Sequence, residues 1–197
     1  MGRERPRPLP PVAAPRLRLA RAAQRVARLH RNDSHGFDPE PLFRTTTLFG
    51  ERGASKASQF AGPVRIHPSG RFVYVANRTL GVYEQDGRPM LAQDGDDIAV
   101  FEIDAQSGRP TPRQRIDSEG VMPRTVCMDP AGELLVVANQ FTVEGFDDDV
   151  ERTIPQSLML YHIARDGQLS RAGRHALELW RKPMICMDVL PDSVPRR

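Results

Sequence analysis

HPSGRFVYVANR at residues 67–78 and DPAGELLVVANQ at residues 129–140 are near copies of one another. Pro68 aligns with Pro130, Gly70 with Gly132, Ala76 with Ala138 and Asn77 with Asn139, at a constant offset of 62. Each copy opens on His or Asp, turns through Pro-x-Gly and closes an apolar run on Ala-Asn. A Pro-x-Gly turn between short apolar runs signals a hairpin. A hairpin duplicated at a fixed period signals a repeat protein.

Working outward, the same cycle of four strands is expected twice. In the first copy these are Val64 to His67, Phe72 to Ala76, Ile98 to Ile103 and Arg113 to Asp117. In the second they are Thr125 to Met128, Leu134 to Ala138, Leu158 to Ile163 and Leu169 to Ala176. Long polar loops, Thr79 to Asp97 and Phe141 to Gln156, separate the second and third strands. Met184 to Leu190 reads as the first strand of a third unit, and Leu42 to Phe49, rich in Thr and aromatic residues, as a leading strand. Four antiparallel strands per repeat indicate a β-propeller. The expected fold class is therefore all-β: a partial propeller of about two four-stranded antiparallel blades plus flanking strands. The domain reading is an Arg/Pro-rich tail and linker over 1–41, propeller blades over 42–190 and a C-terminal tail over 191–197. Open strand edges at both ends favour self-association or pairing with the missing blades.

The charge is unevenly spread. Residues 1–31 hold nine arginines against one acid, Glu4, while the whole chain carries only +3. The propeller portion is therefore acidic and offers no electrostatic basis for nucleic-acid binding. No apolar run reaches the ~20 residues of a membrane span, and no secretory leader is evident, so a cytoplasmic location is expected. Residues 1–15, with five prolines, read as disordered or polyproline II. Residues 16–31 have helical spacing, with Leu19, Ala22, Val26 and Leu29 on one face. That segment is open to three readings: a membrane-surface or transit-type helix, an extra helix, or a translated upstream segment without function. Cys127 and Cys186 read as two buried small hydrophobes.

The stretches GPVRIHPSGRFVYVANR from Gly62, DDIAVFEID from Asp96 and MPRTVCMDPAGELLVVANQ from Met122 resemble the seven-bladed lactonase propellers, of the 6-phosphogluconolactonase and carboxymuconate cyclase type. The resemblance covers about Leu42 to Leu190 and corresponds to the last blades only. It implies a lactone hydrolase acting on a sugar-acid lactone such as 6-phosphogluconolactone, with a small-molecule substrate and no cofactor. The family's proposed pocket holds a His, two Arg and a Glu on the channel face. The last Arg has a counterpart in Arg124, within Met122-Pro123-Arg124. The motifs resembling GPRH and Asn-Glu have none, since Gly62-Pro63 continues Val64-Arg65-Ile66-His67. The chain reads as a truncated member. The alternatives are a catalytically inactive fragment serving as a binding or scaffolding module, and a surface propeller of the YVTN type.

Topology places Arg124, Asn77-Arg78 and Asn139-Gln140 at one end of the blades, rimmed by the two long loops. The fork of Arg124 can hold a carboxylate or phosphate, or stabilise the oxyanion of an attacked carbonyl; alternatively it ties a loop between blades. Arg78, Asn77, Asn139 and Gln140 are candidate substrate-binding residues. The two Asn, recurring at one blade position, also suit a structural role at strand ends. His67 reads as a turn residue and His162 as a blade-surface residue. Asp147, Asp148 and Asp149 with Glu144 and Glu151 are open to a divalent-ion or a solvated-loop reading, and Asp94, Asp96 and Asp97 likewise. No metal site is assigned.

Overall fold

The computed structural model describes residues 17–20, 25–29, 36, 38–50, 55–92, 94–177 and 182–189. The described residues form strands and no helix. In chain order these are β1 (Leu17–Ala20), β2 (Arg25–Arg28), β3 (Phe43–Thr46), β4 (Gln59–Ile66), β5 (Phe72–Thr79), β6 (Val82–Gln85) and β7 (Arg88–Leu91). They continue with β8 (Asp97–Ile103), β9 (Pro110–Asp117), β10 (Pro123–Met128), β11 (Leu134–Asn139), β12 (Val143–Asp147), β13 (Val150–Ile154), β14 (Ser157–Ile163) and β15 (Leu169–Ala176).

Two four-stranded antiparallel sheets are the expected blades, in the orders β4-β5-β8-β9 and β10-β11-β14-β15. The first strands of the two blades, β4 and β10, lie side by side, as strands nearest a propeller axis do. The apolar runs owe their composition to burial on both sheet faces. Side chains alternate across a strand, so Phe72, Tyr74 and Ala76 face one way and Val73 and Val75 the other. The first set joins Ile98 and Val100 against Val126, Leu135, Val137, Met159, Tyr161 and Leu169 of the second blade. The second set joins Ala99, Phe101 and Ile103 against Phe49 on the opposite side. Both buried tyrosines satisfy their hydroxyls across the seam between blades. Tyr74 donates to the Gly167 carbonyl at 3.0 Å and Tyr161 to that of Asp117 at 2.6 Å.

The Pro-x-Gly turns lie together at one end of the blades. His67 Nε2 meets the Gly132 carbonyl at 2.9 Å, so the turn of the first copy is bonded to that of the second. The Ser69 N–H donates to His67 Nδ1 at 3.1 Å. This fixes Nδ1 as the acceptor and Nε2 as the protonated nitrogen that donates to Gly132.

Three expectations are corrected. The long polar loops between second and third strands are largely hairpins, β6–β7 and β12–β13. Their strands assemble into a further sheet, β13-β12-β7-β6, that bridges the two blades. β12 and β7 run parallel with Phe146 opposite Met90, and Arg88 lies over the Phe146 ring at 4.1 Å. The helix read over 16–31 is also overturned where that segment is described, because β1 and β2 form an antiparallel sheet with β3. Alternation in LRLA and RVAR suits a strand as well as a helix, and pairing with β3 selects the strand. Residues 1–16 lie outside the described residues. Finally, Cys127 is buried but Cys186 is exposed.

Residues 182–189, expected to start a third unit, have no ladder partner but run beside β10. Thr125 Oγ1 donates to the Ile185 carbonyl at 3.0 Å and Cys127 Sγ to that of Met187 at 2.7 Å. They thus occupy the innermost-strand place of a following blade.

Candidate functional site

The end of the blades opposite the Pro-x-Gly turns gathers every residue the sequence nominated. Pro123, at the start of β10, pairs with Asn139 at the end of β11, and Ala61 of β4 pairs with Asn77 of β5. Arg78 follows Asn77, half-buried and opposite Phe60. Gln140 follows Asn139.

The two asparagines tie blades together. Asn77 Nδ2 donates to the Thr47 carbonyl at 3.1 Å and to Asp97 Oδ1 at 2.8 Å, and its Oδ1 accepts from Thr47 Oγ1 at 2.5 Å. Asn139 Nδ2 donates to the Ser118 carbonyl at 2.7 Å. Thr47 directly follows β3 and Ser118 directly follows β9. Each Asn therefore reaches back to the outermost strand of the preceding blade, which identifies β1–β2–β3 as three strands of such a blade. Neither side chain is exposed. Asp97 also receives the guanidinium of Arg115, a buried ion pair whose other end donates to the Phe49 carbonyl at 3.0 Å.

A second set of ties runs forward to the following blade and fixes the approach to Arg124. Asp96, only 7% exposed, accepts from Thr79 N at 2.8 Å, Thr79 Oγ1 at 2.5 Å and Met122 N at 2.9 Å. Burial raises its carboxyl above the usual carboxylate range, and the Thr79 and Met122 hydrogen bonds offset part of that rise. In the second blade Gln156 holds the equivalent place, donating Nε2 to the carbonyls of Gln140 at 2.7 Å and Lys182 at 3.2 Å.

Met122 is held from both sides, since the Gln140 N–H donates to its carbonyl at 3.0 Å. Its φ is +57°, a left-handed conformation costly for a side-chain-bearing residue and of the kind that clusters at functional sites. Immediately beyond it the ladder slips between Pro123 and Thr125, leaving Arg124 as the extra residue of a β-bulge. Bulges re-aim side chains. Arg124 is exposed on the innermost strand, among neighbours that are buried. Among the described residues its guanidinium has no hydrogen-bond or ion-pair partner, so the loop-tie reading finds no support.

The bulge and the Asp96 clamp are not visible in the sequence as parts of a site. The one signal is the recurrence of a polar residue, Asp96 or Gln156, just before the third strand of each blade. The acidic run at 147–149 forms the β12–β13 turn, where Asp147 pairs with Arg152 at 3.0 Å and Asp149 with Arg88 at 3.1 Å. Among the described residues no group of three or more His, Cys, Asp and Glu is placed to hold a metal. No helix of the described residues is long and apolar enough to cross a membrane.

The family described as Lactonase, 7-bladed beta-propeller matches residues 23–144. The 6-phosphogluconolactonase of Bacillus subtilis (strain 168) is 35% identical over 79 residues, covering 40% of this chain and 18% of that protein. That of Formosa agariphila is 30% identical over 103 residues, covering 49% of this chain and 26% of that protein. A periplasmic gluconolactonase of Pseudomonas aeruginosa superposes with a TM-score of 0.57 at 19% identity, covering 83% of this chain and 36% of its own. A Lactobacillus plantarum protein gives 0.55 at 24% identity, covering 78% of this chain and 36% of its own. At these identities the two structures bear on the fold alone. The chain spans 18% and 26% of the two curated relatives' lengths. With the family model matched over more than half of the chain and the two four-stranded antiparallel blades in agreement with it, this chain belongs to the seven-bladed β-propeller lactonase family.

Proposed function

We propose that this chain carries one electrophilic corner of a lactone-opening site, acting on a sugar-acid lactone such as 6-phosphogluconolactone. The observation that carries the reading is Arg124: an exposed, unpartnered guanidinium on the innermost strand, set by a bulge behind a strained, doubly anchored Met122. Two curated relatives named 6-phosphogluconolactonase supply the substrate class.

The chemistry follows from charge development. Water adds to the lactone carbonyl carbon while the C=O π pair moves onto oxygen. Arg124 N–H groups donate to that oxyanion, where a preorganised donor is worth most. The ring C–O bond then breaks, the ring oxygen takes one proton of the attacking water and leaves as the hydroxyl of the open acid, and the water's other proton passes to solvent as the acid ionises. The new carboxylate is itself a bidentate partner for the guanidinium. Arg78 and Gln140, at the same end, support substrate binding in this reading. Asn77 and Asn139 support it through the position of the strand ends.

The test is turnover of 6-phosphogluconolactone and glucono-1,5-lactone by the purified chain, corrected for spontaneous hydrolysis. Arg124→Ala is expected to lower kcat about 10²–10³-fold, the effect of removing one oxyanion donor. No turnover, or turnover indifferent to Arg124→Ala, would sink the catalytic reading. A binding module is the second reading. It is favoured because the motifs that would supply the family's His and Glu have no counterpart in this sequence, and it predicts binding of the open acid without turnover.

A further inference from the structure

The two sides of the described fold hold opposite parts of one blade. On one side, β1-β2-β3 supplies three strands. Thr47, just after β3, is the backward anchor of Asn77, as Ser118, just after β9, is that of Asn139. β3 is therefore an outermost strand. Stepping inward through the ladders sets β2 in the place of β8 and β1 in the place of β5. Among the described residues β1 pairs only with β2, so nothing fills the innermost place of that blade. On the other side, residues 182–189 hold the innermost place beside β10, and no ladder joins them to the three strands that complete a blade.

The apolar surface continues the seam already described. In the first blade Phe72, Ile98 and Val100 are at most 2% exposed, because the second blade covers them. Their repeat equivalents Leu134, Leu158 and Leu160 are only half-buried, on the face of the second blade turned away from the first. Thr125 and Val126 of β10, flanked by β11, are buried, whereas their equivalents Ile185 and Cys186 are exposed, Ile185 by 64%. Charge is complementary between the two sides. β1, β2 and β3 carry four arginines and no acid, while residues 125–177 hold eight acids against four arginines. A basic leading blade and an acidic trailing blade attract head to tail and repel head to head.

We infer that two copies of this chain close one ring, residues 182–189 of each serving as the innermost strand of the other's β1-β2-β3 blade. Strand addition of this kind gains main-chain hydrogen bonds along an open edge. A head-to-tail contact gives a finite assembly when the ring closes. Two complete blades from each copy and two shared blades make six, one fewer than the family's seven and within the range of about 4–8 at which propellers close; three copies would give nine. The ring sets both Arg124-bearing strands around one channel, but the pairing does not depend on the lactone-opening reading. The ladders also fix a register. Cys186 is equivalent to Val126, which lies opposite Val137. The row Arg18–Ala27–Arg44 matches Val75–Ala99–Arg115, and Val75 is the repeat equivalent of Val137. Cys186 of one copy is therefore placed opposite Arg18 of the other.

The experiment is sedimentation of the full 197-residue chain. A species of twice the 22.1 kDa chain mass is expected. Ile185→Asp should raise its dissociation constant at least about 100-fold, since each pair buries that side chain twice. The variant should keep the wild-type circular dichroism, because Ile185 is exposed within one copy. Arg18→Cys supplies an arm that does not depend on how Ile185→Asp folds. Under mild oxidation it should give a disulfide-linked pair through the native Cys186, and the double variant carrying Cys186→Ser should give none. A wild type that stays monomeric, an open series of larger oligomers, or a pair indifferent to Ile185→Asp overturns the inference. So does a pair without the Cys186-dependent cross-link, or a cross-link formed within one chain.

Discussion

Asp96 is the residue through which one blade positions the reactive corner of the next, so its removal should register twice. In Asp96→Ala the Thr79 N–H, the Thr79 hydroxyl and the Met122 N–H all lose their acceptor. At ~1–3 kcal/mol for each unsatisfied buried group the cost could approach 9 kcal/mol. A 270 Å³ pocket touches Asp96, however, and lets water stand in for the carboxylate, which brings the expectation down to about 3–4 kcal/mol. Asp96→Asn is a sharper probe. Both backbone N–H groups bond to Oδ1, which an amide oxygen can replace, and the new NH₂ faces a Thr79 hydroxyl able to accept. Its cost should be about 1 kcal/mol.

The two variants also differ from the wild type in pH dependence. A carboxyl raised in the fold above its unfolded value of ~3.9 binds more protons folded than unfolded. Its contribution to stability is therefore greatest below the unfolded pKa, falls as pH rises toward the raised folded value, and is flat beyond it. Urea unfolding from pH 3.5 upward should show this decline in the wild type and a shallower one in Asp96→Asn. The same melts paired with acid-binding titrations should show Asp96→Ala losing Arg124-dependent affinity. An Ala variant within ~1 kcal/mol of the wild type, or Asn and wild type with the same pH slope, would refute the clamp.

Two further predictions concern the frame. Gly132 has φ +75° and a Cβ there would run into the His67 imidazole, so Gly132→Ala should cost about 2–4 kcal/mol in urea unfolding. Gly87, at φ +76° with nothing within reach of a Cβ, should cost only about 1–2 kcal/mol on the same change; equal effects would deny the His67 tie. Arg115→Met strands a fully buried Asp97 carboxylate and should destabilise by about 3–5 kcal/mol, with much of that loss recovered in the double variant carrying Asp97→Leu.

The blades are legible because their strands are buried on both faces, a condition that shows in composition alone. FVYVAN and LLVVAN carry apolar residues toward two neighbours at once, and the Pro-x-Gly turns mark where they reverse. The hairpins β6–β7 and β12–β13 look like loops in sequence because their residues are polar and half-exposed. What holds them is pairing between connections about sixty residues apart, Phe146 against Met90, which no local window contains. One local sign is present: Asp86-Gly87 between VYEQ and RPML is a two-residue turn signal, and Asp86 has φ +53°. The segment at 16–31 misleads for the complementary reason. Alternating Arg and small apolar residues satisfy a period of 3.6 and of 2 about equally, and only a partner strand decides.

The site is partly legible for a related reason. Asn77 and Asn139 recur because each binds backbone in the preceding blade, so repetition marks the seam and not the ligand. Arg124 has no counterpart under the repeat; the equivalent of Arg124 in the first blade is Gly62, within the slip between Ala61 and Val64. Departure from the repeat is the better guide to chemistry here, because every position that repeats is held by the demands of packing one blade on the next. Gln140 fits the same rule. Its equivalent is Arg78, and the pair share a backbone place while differing in charge and reach. A propeller seam therefore separates two kinds of residue on one strand end: the Asn that turns back to hold the blade, and the residue after it, which differs between the two blades. On that argument Gln140→Arg, which puts a charge at a position 6% exposed, should still cost less in urea unfolding than Asn139→Ala, which cuts the tie to the preceding blade. An equal or larger cost for Gln140→Arg would show that both positions belong to the seam.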